Sequence, residues 1–327
     1  MTTYNDCTEI ERYLLVLWTG SASLINLLGN TLVLIATVKY HAIRLDKVSV
    51  VLIKNLAVAD LLHSIYGIMI VVGLVTEGGA FTSWYWCLIE KCLAYSCGVL
   101  DIWMMCALNI SKLSTLLNPL GALLRTTQLG LGIVIIPWVG VMLLNVVYIS
   151  LVAQLTDGAI SNLYPYYHYT ETHQCKLYKS TPSLDAFLSI LKVGIPAVAM
   201  VIIVTTTAWL LCHLHKVRGL QKQSLRTVLI VSTVFVLSYT PYGIYHFFRQ
   251  TLPIASQRTD WFGQFHRAAV YLVYWNFAAN PFIYYRTISS FNKWCRMRRA
   301  MIGPRYGRQE SNSTSTYNHT VVSTTGV

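Results

Sequence analysis

Seven stretches of the chain are long enough and apolar enough to cross a bilayer. They lie at roughly Tyr13–Val38, Val48–Val75, Leu88–Leu117, Leu129–Leu155, Ala186–Leu214, Thr227–Phe248 and Ala268–Tyr285. A spanning helix needs about 20 mostly apolar residues. In hydrocarbon every backbone N–H and C=O must be satisfied within the protein, so segments of this kind fold as helices. The composition agrees: the chain is 54% hydrophobic and 12% charged, with a mean hydropathy of +0.50, whereas a soluble domain carries about a quarter charged residues. The expected fold is an all-α membrane protein, a seven-transmembrane helix bundle.

The net charge of +12 does not point to nucleic acid, because the basic residues fall in short loops between apolar spans. Lys39, Arg44 and Lys47, then Arg125, then Lys216, Arg218, Lys222 and Arg226, then Arg286, Lys293, Arg296, Arg298 and Arg299 share one side. The opposite loops are richer in acid, with Glu9, Glu11, Glu77, Asp157, Glu171 and Asp260. The positive-inside rule then predicts an extracellular N-terminus and a cytoplasmic C-terminus. The opening residues MTTYNDCTEIER lack a basic n-region, so no cleavable signal peptide is expected and the first span serves as its own insertion signal. The eight cysteines are too scattered for a disulfide scaffold or a CxxC metal site.

After the seventh span, Phe291, Trp294 and Met297 recur at helical spacing opposite Lys293, Arg296 and Arg299. This reads as an amphipathic eighth helix lying on the cytoplasmic leaflet and contacting membrane lipid. Cys295 within it reads either as a palmitoylation site or as an ordinary interfacial cysteine. The organisation is therefore an extracellular N-terminus over 1–12, a bundle over 13–286, a juxtamembrane helix over 287–300 and a disordered Ser/Thr-rich cytoplasmic tail over 301–327. The tail ends Thr325-Gly326-Val327, which fits capture by a PDZ domain through strand addition.

Polar and proline motifs sit at matching depths in successive spans. They are Gly29-Asn30, Asn55-Leu-Ala-Val-Ala-Asp60, Cys87 after Trp84, Trp138, Cys175 in the longest outer loop, Pro196, Phe235 with Pro241 in FVLSYTPY, and Asn280-Pro281-Phe-Ile-Tyr284. Together and in this order they resemble the rhodopsin-like (class A) G-protein-coupled receptors over nearly the whole chain, as a divergent member. The resemblance implies a plasma-membrane, multi-pass receptor with no enzymatic activity. Such a receptor binds an extracellular small-molecule or peptide ligand and engages heterotrimeric G protein, arrestin or both. It also implies a Cys87–Cys175 disulfide tethering the outer loop to the third helix in an oxidising compartment. Asn30, Asp60, Asn276 and Asn280 are expected to form a polar cluster, since polar groups at bilayer depth are costly. Pro241 and Pro281 remove backbone hydrogen bonds and kink their helices, so Phe235, Tyr239, Pro241, Pro281 and Tyr284 are expected switch residues.

The chain departs from that pattern at informative places. Lys112 lies 25 residues after Cys87 and seven before Pro119, the register at which the family carries the arginine of its Asp-Arg-Tyr triplet; here the triplet is Ser111-Lys112-Leu113. Lysine is a flexible point charge rather than a planar fork, and Ser111 cannot pair with it. Tyr239 stands where the family usually has tryptophan, and Val204 where it usually has a tyrosine facing the arginine. Lys112 thus lacks a resting partner and an active-state partner, which predicts weak G-protein coupling with low basal signal; the bland alternative is a snorkelling lysine without a switch role. Asp101, eleven residues before Lys112, should face Asp60. Two carboxylates close together cannot both ionise cheaply, which implies a cation such as Na+, a shared proton, or a protonated Asp101 donating a hydrogen bond. No other cofactor and no metal site is expected.

On the outer side, Tyr95, Lys192, Tyr242, His246, Arg249, Arg267, Tyr271 and Tyr274 should face the bundle. Ala94 stands where amine receptors carry aspartate, and Tyr274 where opsins carry the retinal lysine, which disfavours both ligand classes. Lys192, His246, Arg249 and Arg267 form a basic ring suited to a carboxylate or phosphate, unless Glu90, Asp185 or Asp260 neutralises it. About a dozen residues precede the first span, too few for a protein-binding ectodomain, and the loop from Asp157 to Lys179 reads as an aromatic lid. A transporter would show internal repeats, and none is seen. An enzyme would need a nucleophile–base pair or a metal set, and neither occurs at suitable spacing. The remaining alternative within the fold is an atypical receptor that scavenges, scaffolds or recruits arrestin with little G-protein coupling.

Overall fold

In the computed structural model the described residues are 9–41, 43, 45–76, 84–118, 127–154, 167–169, 175–177, 181–252 and 260–302. Among them the helices are α1 (Glu9–Val38), α2 (Lys47–Val75), α3 (Trp84–Leu117), α4 (Thr127–Ala153), α5 (Pro182–Lys216), α6 (Gly219–Thr251), α7 (Asp260–Thr287) and α8 (Ser289–Ile302). Six of these, α1 to α6, are apolar and long enough to cross a membrane. α7 has the length, at 28 residues, but its polar side chains, Asn276 and Asn280 among them, lower its hydropathy. α1 packs on α2 and α7, α2 on α3 and α4, α3 on α4 and α5, and α5 on α6, which returns to α7 and closes the ring. α3 also touches α6, so it runs through the middle of the bundle.

The helices outrun the spans read from hydropathy: α6 begins at Gly219 rather than near Thr227, and α7 at Asp260 rather than Ala268. Hydropathy registers only the hydrocarbon-embedded turns, whereas capping and packing decide where a helix ends. At α2, Asp46 takes the N-cap position with φ −64° and ψ 151°, and its Oδ1 accepts from the Ser49 amide at 3.0 Å. At α5, Thr181 caps through its hydroxyl to the Leu184 amide at 3.2 Å, and Pro182 follows where no N–H is needed. A π turn over Ile190–Gly194 interrupts α5, the Ile195 amide donating to the Ile190 carbonyl. Pro196, which has no N–H to give, comes directly after it, so the backbone widens where the ladder loses a donor.

Inside the bundle, serines and threonines turn their hydroxyls to carbonyls four residues back, as Thr37 does to Val33 at 2.7 Å and Ser64 to Asp60 at 3.1 Å. This satisfies them without water. Gly29 on α1 permits close approach to α7, since a Cβ there would stand 2.6 Å from Cγ of Pro281. Beyond α7 the amphipathic stripe of α8 divides. Phe291 is buried in the largest core cluster, Trp294 packs at a tilt on Tyr40 just beyond α1 at 5.4 Å, Arg298 lies over the Tyr40 ring at 4.1 Å, and Met297 is exposed.

One feature lies outside the expected all-helical architecture. Tyr167–Tyr169 and Cys175–Leu177 form an antiparallel hairpin, β1 and β2, with His168 opposite Lys176, and it rests against α3. The rest of the outer loop, the first eight residues, and the tail with its terminal Thr325-Gly326-Val327 lie outside the described residues.

Candidate functional site

Three polar regions are strung along α3. The middle one gathers Asn26 and Asn30 from α1, Asp60 and His63 from α2, Asp101 from α3, and Asn276 and Asn280 from α7, all buried. Asn280 Nδ2 donates to Asp60 Oδ2 at 2.9 Å, and Asn26 Nδ2 donates to the Asp60 carbonyl at 2.7 Å. Asn30 Nδ2 donates to Asn26 Oδ1 at 2.5 Å and reaches the Phe277 carbonyl at 3.5 Å. His63 stacks on Phe277 with ring centroids 3.7 Å apart and places Nδ1 3.9 Å from Asp101 Oδ2. The second Asp60 oxygen, both Asp101 oxygens, His63 Nδ1 and the Tyr239 hydroxyl have no hydrogen-bond partner among the described residues. An apolar interior does not tolerate that many unsatisfied polar atoms cheaply. These atoms leave hydrogen-bonding capacity unmet at the centre of the bundle. Asn26 and His63 were not singled out by the sequence. His63 could have been, because it lies three residues after Asp60 on the same helical face.

Beneath this cluster Tyr239 stacks on Phe235 at 4.3 Å and meets Phe277 edge-on at 6.3 Å, while Tyr284 is fully buried. The expected switch residues therefore converge on the interface of α6 and α7, with Pro241 and Pro281 inside those helices.

At the next level Asn109 of α3 donates to the Ser232 hydroxyl of α6 at 2.7 Å and accepts from the Thr207 hydroxyl of α5 at 3.1 Å. Val204 is 47% exposed on the outward face of α5, so it has no part in this clasp. A hydroxyl one turn further along α5 makes the contact instead. Lys112 is only 4% exposed. The expectation that it lacks a resting partner is corrected here: its ammonium pairs with Asp46 Oδ2. The same oxygen accepts from the Ser224 hydroxyl of α6 at 3.3 Å. Burial acts to raise the Asp46 carboxyl, but the Lys112 ammonium and the Ser49 amide outweigh it and hold the group below its usual range. The counter-ion is far away in sequence, 66 residues before Lys112, so no local triplet could reveal it.

At the opposite end of α3 lies an aromatic and basic region. Lys192 of α5 sits over the Tyr95 ring at 5.6 Å, and Tyr95 meets Tyr148 edge-on at 5.2 Å. Tyr242 packs on His246 at 4.4 Å, and Tyr245 stacks on His266 at 4.1 Å. Lys192 of α5 shares this region with His246 and Arg249 of α6 and with Asp185, whose carboxylate acts on the ammonium in the opposite sense to the neighbouring cations. His246 is buried and its Nε2 has no partner among the described residues. Arg249 is exposed on the last turn of α6, and Arg267 is half-buried. Tyr274 stacks with Tyr66 at 6.3 Å and touches His63 at 5.4 Å, linking this region to the central cluster. Tyr271 differs from expectation in its neighbour: its ring packs at 5.5 Å on Trp18 of α1, whose Nε1 donates to the Tyr271 carbonyl at 3.4 Å. Glu90, buried near the top of α3, accepts from Lys91 at 3.0 Å.

Cys295 of α8 is half-buried, and neither it nor Cys92, Cys97, Cys106 or Cys212 is in a disulfide. The side chains of Cys87 and Cys175 lie outside the described residues, although β2, which carries Cys175, rests against α3, which carries Cys87.

A family model described as 7 transmembrane receptor (rhodopsin family) matches residues 29–284, from the Gly29-Asn30 pair through the tyrosine that closes Asn280-Pro281-Phe-Ile-Tyr284. No curated protein matches the chain. The chain belongs to the rhodopsin family of seven-transmembrane receptors and is a multi-pass membrane protein.

Proposed function

We propose that the chain is a plasma-membrane receptor for a small anionic ligand, with its N-terminus outside and the Lys112 end of α3 in the cytoplasm. The observation that carries the ligand class is the cluster of Lys192, His246, His266 and Arg249 around tyrosines at the outer end of the bundle. A lysine and an arginine gathered beside imidazoles and tyrosine hydroxyls gain from a carboxylate or phosphate set among them, in competition with Asp185. Tyr95, Tyr242, Arg267 and Tyr274 complete the wall of that region, with Tyr271 behind it against Trp18. A Cys87–Cys175 disulfide would hold the hairpin over the pocket. Asp60 and Asp101 share a sodium ion or a proton, and Asn30, Asn276 and Asn280 hold the surrounding polar framework. Phe235, Tyr239, Pro241, Pro281 and Tyr284 relay movement toward Lys112. Cys295 is a palmitoylation site, and the terminal valine is read by a PDZ domain.

G-protein coupling is weak, and arrestin is the stronger partner. The support is Ser111-Lys112-Leu113 together with a Lys112 side chain already committed to Asp46. A library of carboxylates and phosphates should be screened on cells expressing the receptor, reading G-protein activation and arrestin recruitment in parallel. Hits should be anions, and Lys192→Gln should weaken them at least tenfold while surface expression is kept. Cationic hits indifferent to Lys192→Gln would refute the ligand class. A G-protein signal as large as the arrestin signal would refute the coupling claim.

A further inference from the structure

The outer end of the bundle holds a buried acid as well as cations. Glu90, near the start of α3, keeps only 5% of its side chain exposed, and its Oε1 accepts from Lys91 Nζ at 3.0 Å. Glu90 also lies within electrostatic reach of Tyr66 and Tyr274, and Tyr242 of α6 is close to the same two tyrosines. Tyr66 of α2 and Tyr274 of α7 are nearly parallel, with planes 11° apart and centroids at 6.3 Å. Ring faces beside a buried carboxylate suit an ammonium. Tyr242 in turn lies near Arg249 and packs on His246 at 4.4 Å, so the tyrosines run from the acid to the basic cluster. His246 Nε2 is buried there without a partner among the described residues.

Lys91 joins the two ends. It pairs with Glu90, and its ammonium is also near enough to Lys192 for the two charges to interact. An anion drawn to Lys192 therefore draws on Lys91 too and loosens its hold on Glu90. Asp185, the acid that acts on Lys192, is exposed and can be released to water. Glu90 is buried and cannot, and a buried charge that loses its partner is strongly disfavoured. A bare carboxylate thus leaves one buried charge unmatched. A molecule that brings its own ammonium leaves none, because it enters between Lys91 and Glu90 and exchanges one ion pair for two.

We propose that the ligand is a compact zwitterion of the amino-acid class, its carboxylate on Lys192 and Lys91 and its ammonium on Glu90 beside Tyr66 and Tyr274. This rests on the basic cluster holding an anionic group, as proposed above, and adds the cationic end of the same molecule. Compactness follows from Lys91: the ammonium takes the place of Lys91 Nζ at Glu90, while the carboxylate takes that same Nζ as its partner.

The test uses the purified full-length chain in lipid nanodiscs, with affinity read from the dose dependence of the thermal midpoint. The probes are matched sets at up to millimolar concentration: the common amino acids, the desamino acid of each, and the amine left when each loses its carboxylate. The leading amino acid should bind about tenfold or more tightly than its desamino acid and its amine, the worth of one charge-assisted hydrogen bond. Glu90→Gln should bring the amino acid down to the level of its desamino acid, whereas Lys192→Gln should weaken both acids. The Glu90→Gln/Lys91→Gln double variant keeps the net charge and orphans no ammonium, so it should show the same lost margin even if Glu90→Gln alone fails to fold. A desamino acid that matches or exceeds its amino acid on the unaltered chain would overturn the zwitterion and leave the anionic reading standing. A margin that survives in Glu90→Gln or in the double variant would do the same. Amines that bind best and ignore Lys192→Gln would overturn the anionic reading itself, and a panel without any shift would overturn the amino-acid class.

Discussion

Lys112 is tolerable in the bundle because Asp46 reaches it from outside, and that pairing makes the site sensitive to acid. The Asp46 carboxyl is held below its usual range by the Lys112 ammonium against the opposing effect of burial. An unfolded aspartate titrates near about 3.9. A group whose folded value is depressed contributes stability that is fully present above the unfolded value and is lost as pH falls through the folded one. The difference in thermal midpoint between the unaltered chain and Asp46→Asn should therefore be constant from pH 7 to about pH 4 and shrink below it. A gap that persists undiminished at pH 3 would show that Asp46 acts there by something other than its charge. The sequence placed Lys112 near the C-terminal end of α3 but could not name its partner. Pairing across 66 residues is decided by how α2, α3 and α6 converge, and periodicity carries no such information. Val204 misled for another reason: its side chain faces outward, and Thr207 makes the contact to Asn109.

Helices were easier to read than their ends. Each apolar run became a helix because a bilayer leaves no other way to satisfy the backbone, and the spacing of Phe291, Trp294 and Met297 announced α8. Its docking was hidden, since the same stripe serves the bundle core, the Tyr40 ring and the surroundings in turn. Phe291 is 1% exposed, and truncating a buried phenylalanine costs about 3–5 kcal/mol. The loss falls on α8 alone if that helix opens as a local unit. Phe291→Ala should accordingly speed amide exchange across residues 289–302 by about 100-fold or more, leaving α1 to α7 little changed. Exchange in α8 that stays at its original rate would mean that Trp294 and Arg298 suffice to dock it. The hairpin of β1 and β2 and the π turn in α5 gave no comparable signal, being short and set by neighbouring structure.

Taken together, the bundle is a ring of helices around two buried carboxyl groups whose oxygens are mostly unpartnered among the described residues. Asp60 and Asp101 are buried with three of their four oxygens unpartnered, and α1, α2, α3 and α7 all contribute to the surrounding cluster. If sodium occupies that centre, ligand binding to the folded state alone stabilises by about 2.7 kcal/mol at 100 times its Kd. Replacing N-methylglucamine with sodium should then raise the thermal midpoint of the solubilised receptor by several degrees, and Asp101→Asn should abolish the rise. A receptor indifferent to sodium whose midpoint shifts with pH, with Asp101→Asn removing that shift, would assign a shared proton instead. Composition made the membrane class legible, and the order of motifs made the family legible. Asp60, Asp101 and Asn280 were foreseeable as a cluster for the same reason. His63 and Asn26 join it through packing between helices, which a single sequence does not display.

The π turn at Ile190–Gly194 places one more residue in α5 than a regular helix would use over the same height. One residue corresponds to a rotation of about 100°. Counting back from Pro196 along an ideal helical wheel therefore assigns the outer residues of α5, Leu184 and Asp185 among them, to the wrong side. A comparison of this chain with a relative lacking the turn needs a one-residue gap between the proline and the outer end of α5. Chimeras spliced without that gap would present the correct sequence on a misdirected face.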